Sequence, residues 1–266
     1  MRTRRLAGLG LGILATVALG VAGCSGDNGT PSATTSQPAA TPASSGPANP
    51  TAASALGSAA ATLGNTSFKI TMTSGPGVNL TGFVDAPNHK GTGTLKLSGP
   101  NANLEVKSLL VDQDMYVQIP GVTKAGTWTH VDVARLPEGA NTGLRPGQID
   151  PANTAQLLAS TTDVQQVDSR SYKGALDLTK VAGVTGVDKV TVNSWGTAAS
   201  QVPFTAGLDD QGRLSALTLQ LPAVNGKQSP PLEVLYTDYG TTVNAKRPAA
   251  SEVTEAPDNL YKALGG

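Results

Sequence analysis

Strict alternation of apolar and polar residues is the feature of this chain that most narrows its possible folds. Apolar side chains first recur at every second position in Phe68, Ile70 and Met72. Because successive side chains of a strand point to opposite faces of a sheet, a period of two predicts strands with one apolar face. The same alternation returns in three further segments, at residues 95–97, 104–106 and 115–119.

Turn sequences separate these alternating segments. They are rich in glycine, proline, asparagine and aspartate, and they occupy residues 75–77, 86–88, 99–101 and 112–114. Connections this short allow hairpins but leave no room for helical crossovers. The sequence therefore predicts an antiparallel sheet.

More strands are expected after a central insert. Residues 202–209 and 213–221 flank Asp210-Gln211-Gly212, a hairpin signal with glycine at its tip. Segments at residues 232–239 and 242–245 would close the sheet. For the tail from residue 252 onward, a helical turn and a loose segment both remain open.

Three short helices are the available cover for this sheet. An alanine-rich helix at residues 52–63 would be capped by Gly64. A second would begin with Asp150 as N-cap and Pro151 in the first turn, and end about ten residues later. A third is expected at residues 179–184. Because these helices are small, the pattern predicts either a tightly curled sheet or a cavity beneath it.

The N-terminus carries the pattern of a secretory signal. Three arginines within the first five residues precede an uncharged apolar run, which ends in small residues before Cys24, the single cysteine. Val21-Ala22-Gly23-Cys24 resembles a bacterial lipobox. That resemblance implies cleavage after Gly23 and lipidation of Cys24, whose acyl chains would hold the protein at the outer face of the cell membrane. A plain secreted protein with a chance cysteine near its cleavage site is the alternative.

Composition then divides the chain into four parts. Residues 1–23 are the expected signal peptide, and residues 24–50 are a tether of proline, serine, threonine and alanine with little to bury. Residues 51–250 are long enough for one domain with a sizeable core, and residues 251–266 form a tail.

The net charge of the chain restricts the kinds of partner that it can bind. Without the three arginines of the signal, 16 basic residues face 19 acidic ones, a net charge of −3. Because nucleic-acid binding needs a basic face, this balance argues against a nucleic-acid partner. No second apolar run reaches the roughly 20 residues that span a bilayer.

Catalytic patterns are missing from the sequence. His89 and His130 lack partners at metal-ligand spacing, and no nucleophile elbow, phosphate-binding loop or zinc-protease motif occurs. Asp209 and Asp210 are neighbours, which on a strand would point to opposite faces. We therefore expect no enzyme activity, no metal and no cofactor.

The order of these parts resembles the LppX/LprAFG lipoproteins of mycobacteria and related actinobacteria, from about residue 53 to residue 248. The best local matches are Asp114-Met115-Tyr116-Val117 before Gly126-Thr127-Trp128, Val202-Pro203-Phe204 before Asp210-Gln211-Gly212-Arg213-Leu214, and Tyr236-Thr237-Asp238-Tyr239-Gly240. The resemblance implies an α+β fold with a single strongly curved antiparallel half-barrel, its concave side covered by a few helices, as in LolA and LolB. It also implies that the acyl chains of a lipid or glycolipid lie between sheet and helices and are carried towards the outer envelope.

The apolar faces of the predicted strands would supply the wall of such a cavity, which is a property of the whole set, since for any single residue ordinary core is the favoured interpretation. The candidates are Phe68, Ile70, Met72, Leu95, Leu97, Leu104, Val106, Met115, Val117, Phe204, Leu217, Leu219, Leu232 and Val234. The alternative function is a non-transport module that senses the envelope or holds an unidentified protein partner. A third is a glycan-binding anchor that uses Trp128, Trp195 and Tyr116.

Overall fold

The computed structural model describes residues 50–99, 102–136, 144–145, 148–181, 189–224 and 226–264. These residues form an α+β fold that one large open sheet dominates. The strands, in chain order, are β1 (Ser67–Ser74), β2 (Val78–Asp85), β3 (Lys90–Gly99), β4 (Ala102–Val111), β5 (Asp114–Gln118), β6 (Trp128–Asp132), β7 (Leu144–Arg145), β8 (Gln148–Ile149), β9 (Thr161–Gln166), β10 (Ser171–Leu176), β11 (Val202–Leu208), β12 (Leu214–Leu219), β13 (Leu232–Thr237) and β14 (Val253–Glu255). The helices are α1 (Pro50–Ala61), α2 (Thr154–Ala159), α3 (Lys189–Ser194) and α4 (Asp258–Leu264).

The large sheet has 12 strands among the described residues, in the order β14-β6-β5-β4-β3-β2-β1-β13-β12-β11-β10-β9. Every neighbouring pair is antiparallel except β14 and β6, which run parallel. The expectation of a purely antiparallel sheet is therefore wrong at this edge. After β13 the chain returns to the far side of the sheet, and such a long connection permits a parallel pair.

Most of the alternating segments form strands. Residues 68–72 lie in β1, residues 95–97 in β3, residues 104–106 in β4, and residues 202–208 in β11. Ile119 lies one residue beyond the end of β5. These segments form strands because each presents one apolar face to the core and one polar face to water.

The predicted strand at residues 242–245 is wrong. The Gly240 N–H donates to the Ser67 carbonyl oxygen over 2.9 Å, so the chain turns away from the sheet just before this segment. Val243 and Ala245 then pack against Val111 in a small second core on the opposite face of the sheet from Leu110. Their alternation reflects this packing rather than a strand ladder.

The first two helices form near their predicted positions, with different ends. Beyond α1 a 3₁₀ turn, Thr62–Asn65, contains Gly64, whose φ is not positive, so the predicted glycine cap is wrong. α2 begins three residues later than expected, with Asn153 before its first turn. The carboxylate of Asp150 still accepts a hydrogen bond from the Ala155 N–H over 2.9 Å, which satisfies a free donor at the helix start.

The central insert differs most from expectation. At the predicted third helix the structure has only a 3₁₀ turn, Leu178–Lys180, and residues 182–184 lie outside the described residues. Strands β9 and β10, which the sequence analysis missed, extend the sheet here. They pair because Tyr172, Leu176 and Val164 add buried side chains to the core. Pro100 and Asn101 of one predicted turn also lie outside the described residues.

One main core fills the space between the sheet and the helices. It joins Leu56 and Leu63, from the first helical segment, to Phe68 and Ile70 of β1 and to Leu217 of β12. We call the face of the sheet that carries these β1 and β12 side chains the inner face, and the opposite one the outer face. Helix α1 contacts β9 and β12, so strands β9–β13, here called the covered half, lie beneath it.

Candidate functional site

A partly open cavity of about 200 Å³ lies on the inner face of β2, β3 and β4. Its floor consists of glycines. Gly82 of β2 lies directly opposite Gly93 of the neighbouring strand β3, and Gly91 lies two residues before Gly93 on the same face. Ser108 lies opposite Gly93 on the next strand. Three glycines and one serine leave the floor almost without side chains, and this absence creates the space.

Apolar side chains form the walls of the cavity. The sheet supplies most of them, and the loop before α2 closes the far side with Ile149 and Pro151. The sheet residues that supply aliphatic or thioether wall atoms are Ile70, Leu80, Val84, Leu110 and Met115. Such a lining can bury hydrocarbon, but it offers little for the recognition of polar groups.

Close approach of a backbone atom requires glycine at position 82, whereas at Gly93 the nearest atom belongs to a serine side chain that can rotate away. A Cβ atom at Gly82 would lie 2.5 Å from the Thr92 carbonyl oxygen, and one at Gly93 would lie 2.6 Å from Ser108 Oγ. At Gly91 the nearest atom would be 3.5 Å away, which is ordinary contact. The alternating glycine and threonine at residues 91–94 was the sequence signal for this floor, and the sequence analysis overlooked it.

The inner face continues beyond the cavity as an apolar strip. One row across the strands contains Met72, Leu80, Leu95 and Val106, and the next contains Val78, Leu97 and Leu104. All seven side chains are only half-buried, because no described helix covers them. Leu80 belongs to both the strip and the cavity wall, so the two surfaces are continuous. We call β2–β4, with the cavity and the strip, the open half.

The predicted wall residues fall into three groups. Ile70 and Met115 line the cavity. Met72 of β1 and four residues of the open half lie on the strip, namely Leu95, Leu97, Leu104 and Val106. The remaining seven are buried core residues that do not line this cavity, a correction to the predicted wall: Phe68, Val117, Phe204, Leu217, Leu219, Leu232 and Val234.

The physical reason for this correction is the position of the helices. Five of those seven residues belong to β11–β13, where the helices and neighbouring side chains fill the inner face. A period of two marks both kinds of strand alike, so it does not distinguish a filled face from an open one. The predicted lipidation site, Cys24, and the predicted cleavage site, Gly23, lie outside the described residues.

The cavity is small for a ligand site. Pockets for small molecules usually measure about 300–1,000 Å³, and an engineered apolar cavity of about 150 Å³ in another protein holds a single benzene. A volume of about 200 Å³ therefore matches a short stretch of one hydrocarbon chain. The remainder of such a chain would lie on the strip.

No protein-family model matches the sequence, and no curated protein is significantly similar to it. The resemblance to the LppX/LprAFG lipoproteins therefore depends on the motifs quoted above. Among the described residues no helix has the length and apolar character to cross a membrane. In the same part of the chain, no group of three histidine, cysteine or carboxylate side chains has an arrangement that could hold a metal ion.

His130 lies on the outer face of β6, where it bridges two carboxylates. Its Nδ1 is 2.8 Å from Glu255 Oε2, and its Nε2 is 2.8 Å from Asp114 Oδ1. Partial burial favours the neutral ring, but the hydrogen bonds that the charged ring donates to Glu255 and Asp114 outweigh it and raise the pKa of His130. Because Glu255 belongs to β14, this bridge fastens the edge strand to the sheet.

The neighbouring aspartates at the β11–β12 hairpin do not form a shared site. The Asp209 carboxylate accepts hydrogen bonds from the Arg213 side chain and backbone and from the Gln211 N–H. Asp210 forms an ion pair with Arg170 on the adjacent hairpin. Both carboxylates therefore order the turns, which accounts for them without catalysis.

The two tryptophans occupy different environments. Trp195 is buried in the main core, so it is not available as a surface platform. Trp128 is half-buried on the outer face and lines a second cavity, of about 260 Å³. The two environments were not predictable from the sequence, since polar residues and glycines flank both tryptophans along the chain.

Proposed function

We propose that this chain is an exported, lipid-anchored protein that binds an acyl chain of a lipid or glycolipid and carries it towards the outer envelope. The observation that carries the proposal is the glycine-floored cavity and its continuation into an uncovered apolar strip. Apolar side chains that a protein leaves half-buried in one continuous strip can become fully buried when an apolar ligand binds to them.

The energetics suit a hydrocarbon ligand. Each methylene that is removed from water contributes about 0.8 kcal/mol, so about six methylenes contribute roughly 5 kcal/mol. Ser108 is the polar side chain on the floor, and its Oγ is 3.5 Å from the Gly93 carbonyl oxygen. A lining of this kind selects for an apolar chain rather than for a particular headgroup.

The N-terminal part supports the location. If Cys24 is lipidated, 25 residues separate the anchor from the start of α1 at Pro50. A flexible tether of this length spans about 28 Å root-mean-square. The open half could then face an acyl chain that leaves the membrane surface. For the sheet itself we propose a LolA-type half-barrel, with the strip on its concave side.

Mass spectrometry tests the binding directly. The full chain with Cys24→Ser, which has no acyl anchor of its own, is purified without detergent and extracted with organic solvent. We expect a bound lipid or fatty acid near one equivalent per chain. In Gly91→Val the new methyl groups project into the cavity from a site with room for the Cβ atom, so the bound lipid should fall severalfold.

Ser98→Val is the matched control for that variant. It introduces the same side chain on the same strand, but on the exposed outer face. An extract without lipid, or equal lipid in Gly91→Val and the control, would contradict acyl-chain binding and favour a protein-interaction module.

Fractionation of cells tests the anchor separately. The wild-type chain should be found with membranes as an acylated mature species, and Cys24→Ser should either appear in the medium or stay uncleaved. A mature Cys24→Ser species that remains with the membranes would refute lipidation, whatever the result for the cavity.

A further inference from the structure

We infer that the outer face of the open half carries a second binding site, for a neutral carbohydrate. The site is the cavity of about 260 Å³ behind the glycine floor, on the side of the sheet away from the helices. It is independent of the acyl-chain proposal, since its side chains point to the opposite face.

Unusual composition is the first observation that points to this site. On the solvent side of alternating strands the pattern predicts polar side chains, and threonines do line the cavity on β2 and β3. Two aromatic residues lie among them, Phe83 with 36% of its surface exposed and the half-buried Trp128. Neither belongs to the main core, so both rings remain partly accessible on this face.

Unused hydrogen-bonding groups are the second observation. Within the described part of the chain, the hydroxyls of Thr92 and Thr94 and the indole N–H of Trp128 have no hydrogen-bond partner. Hydroxyl groups both donate and accept, and the indole N–H only donates. The cavity therefore combines apolar ring faces with donors and acceptors that are free to bind a ligand.

A sugar ring matches this combination. Its C–H groups form an apolar face that packs on an aromatic ring, and its hydroxyls at the rim exchange hydrogen bonds with threonine and indole groups. Few ligands present both kinds of surface within so small a volume. The hydroxyl-lined floor between Phe83 and Trp128 is complementary to both.

The charged groups at the site favour a neutral ligand over an anion. Lys107 is the charged residue that lines the described cavity, and it shares the Glu105 carboxylate with Lys96, each Nζ lying 3.7 Å away. A phosphate or an acidic sugar is usually held by a guanidinium that binds both oxygens, and no arginine lines this cavity among the described residues. Nor does the site suit a folded partner, because a stable protein interface buries about 800 Å² on each side and this cavity has the dimensions of a small ligand.

Affinity electrophoresis tests the site. Full-length protein in mild detergent is run in native gels that contain mannan, arabinogalactan or dextran, three neutral soluble polysaccharides. We expect at least one of them to retard the protein. Trp128→Ala should weaken that retardation about tenfold, because it removes the aromatic platform and its N–H donor.

Thr92→Val is the finer probe, since it keeps the shape and the strand preference of threonine and removes only the hydroxyl. We expect retardation about threefold weaker, a loss of one modest hydrogen bond. The control is Trp195→Phe, which alters the buried tryptophan and should leave retardation unchanged. Circular dichroism verifies that all the variants remain folded.

Several results would overturn the inference. These are no retardation in any of the three gels, retardation that survives Trp128→Ala, and an equal loss in the folded Trp195→Phe control. Loss on Lys107→Gln would indicate an anionic ligand and overturn the neutral assignment. If sedimentation shows a dimer that Phe83→Ser converts to monomer, the surface is an interface between copies and not a carbohydrate site.

Discussion

The covered half and the open half are built from the same alternating pattern, yet they bury their inner faces to very different degrees. In the covered half Leu217 is fully buried and Phe204 is 2% exposed. In the open half Leu95, Leu97 and Val106 remain half-buried although they occupy equivalent inner positions. The difference comes from the helices, which cover β9–β13 and leave β2–β4 with a glycine-floored cavity.

This contrast shows that alternation predicts which face of a strand is apolar, but not whether helices pack against that face. A strand needs one apolar face to join a sheet, and either the protein or a ligand can complete that face. Four predictions test the contrast, beginning with the one that should have the largest effect.

Truncation of the buried aromatic in the covered half should be the most destabilising change. Phe204→Ala removes a ring from the filled core, and we expect a loss of about 3–5 kcal/mol in the free energy of unfolding. Leu97→Ala on the strip should cost less than about 1.5 kcal/mol, because water already reaches that side chain. Urea unfolding measures both. Equal losses would mean that the two halves are equally well covered.

The glycine floor should tolerate a methyl group at Gly91 but not at Gly82. Gly82→Ala places its Cβ atom 2.5 Å from the Thr92 carbonyl oxygen, so the backbone must shift, at a cost of about 1–3 kcal/mol. Gly91→Ala meets only ordinary contacts and should be neutral or slightly stabilising. Thermal unfolding of both variants gives the comparison. A neutral Gly82→Ala would show that the strands do not approach so closely at the floor.

The histidine bridge at the β14 edge should make stability weakly dependent on pH. The pKa of His130 is raised, so the bridge contributes fully below the unfolded value of about 6.5 and loses its contribution as pH rises through the higher folded value. The groups around the ring are Asp114, Glu255, Tyr116 and, through Asp114, Arg247. The free energy of unfolding should therefore decrease slightly as the pH rises above about 6.5.

His130→Gln is the control for this pH dependence, because glutamine can hydrogen-bond to a carboxylate without titrating. Its free energy of unfolding should vary less than that of the wild type over the same range. If the two profiles are parallel, groups other than His130 produce the pH dependence.

Surface ion pairs of the open half should contribute least. Lys96 Nζ lies 3.7 Å from Glu105 Oε2, and the two side chains are 60% and 45% exposed. Lys96→Ala should change the free energy of unfolding by less than about 0.5 kcal/mol, since solvent screens the pair. A larger loss that high salt removes would mean that ion pairs on the outer face contribute substantially to the stability of the open half.

The sequence predicted most of the strands, since alternation at residues 68–72 and 202–208 directly reflects their two faces. It did not predict β9 and β10, where polar residues dominate and burial depends on neighbouring strands. The segment at residues 242–245 alternates without pairing, because it packs on the outer face against Val111. The local sequence pattern of a segment does not show which strand or side chain packs against it.

The candidate site was only partly predictable for the same reason. Ile70 and Met115 followed from their strand positions, but the cavity itself comes from Gly82, Gly91 and Gly93, and a missing side chain leaves no apolar signal. The close approach of Ser108 to Gly93 depends on register between strands. The bridge of His130 to Glu255 needs the parallel edge pairing, which the local sequence does not indicate.

Photocrosslinking with a fatty acid that carries a diazirine near its methyl end tests the account most directly. The full-length protein is irradiated with the bound probe, and mass spectrometry locates the attached label along the chain. We predict labels within β2–β4, at Leu80, Val84 or Leu110, and a severalfold decrease in Gly91→Val. Labels concentrated in β10–β13, or labelling that Gly91→Val leaves unchanged, would contradict an acyl-chain site in the open half.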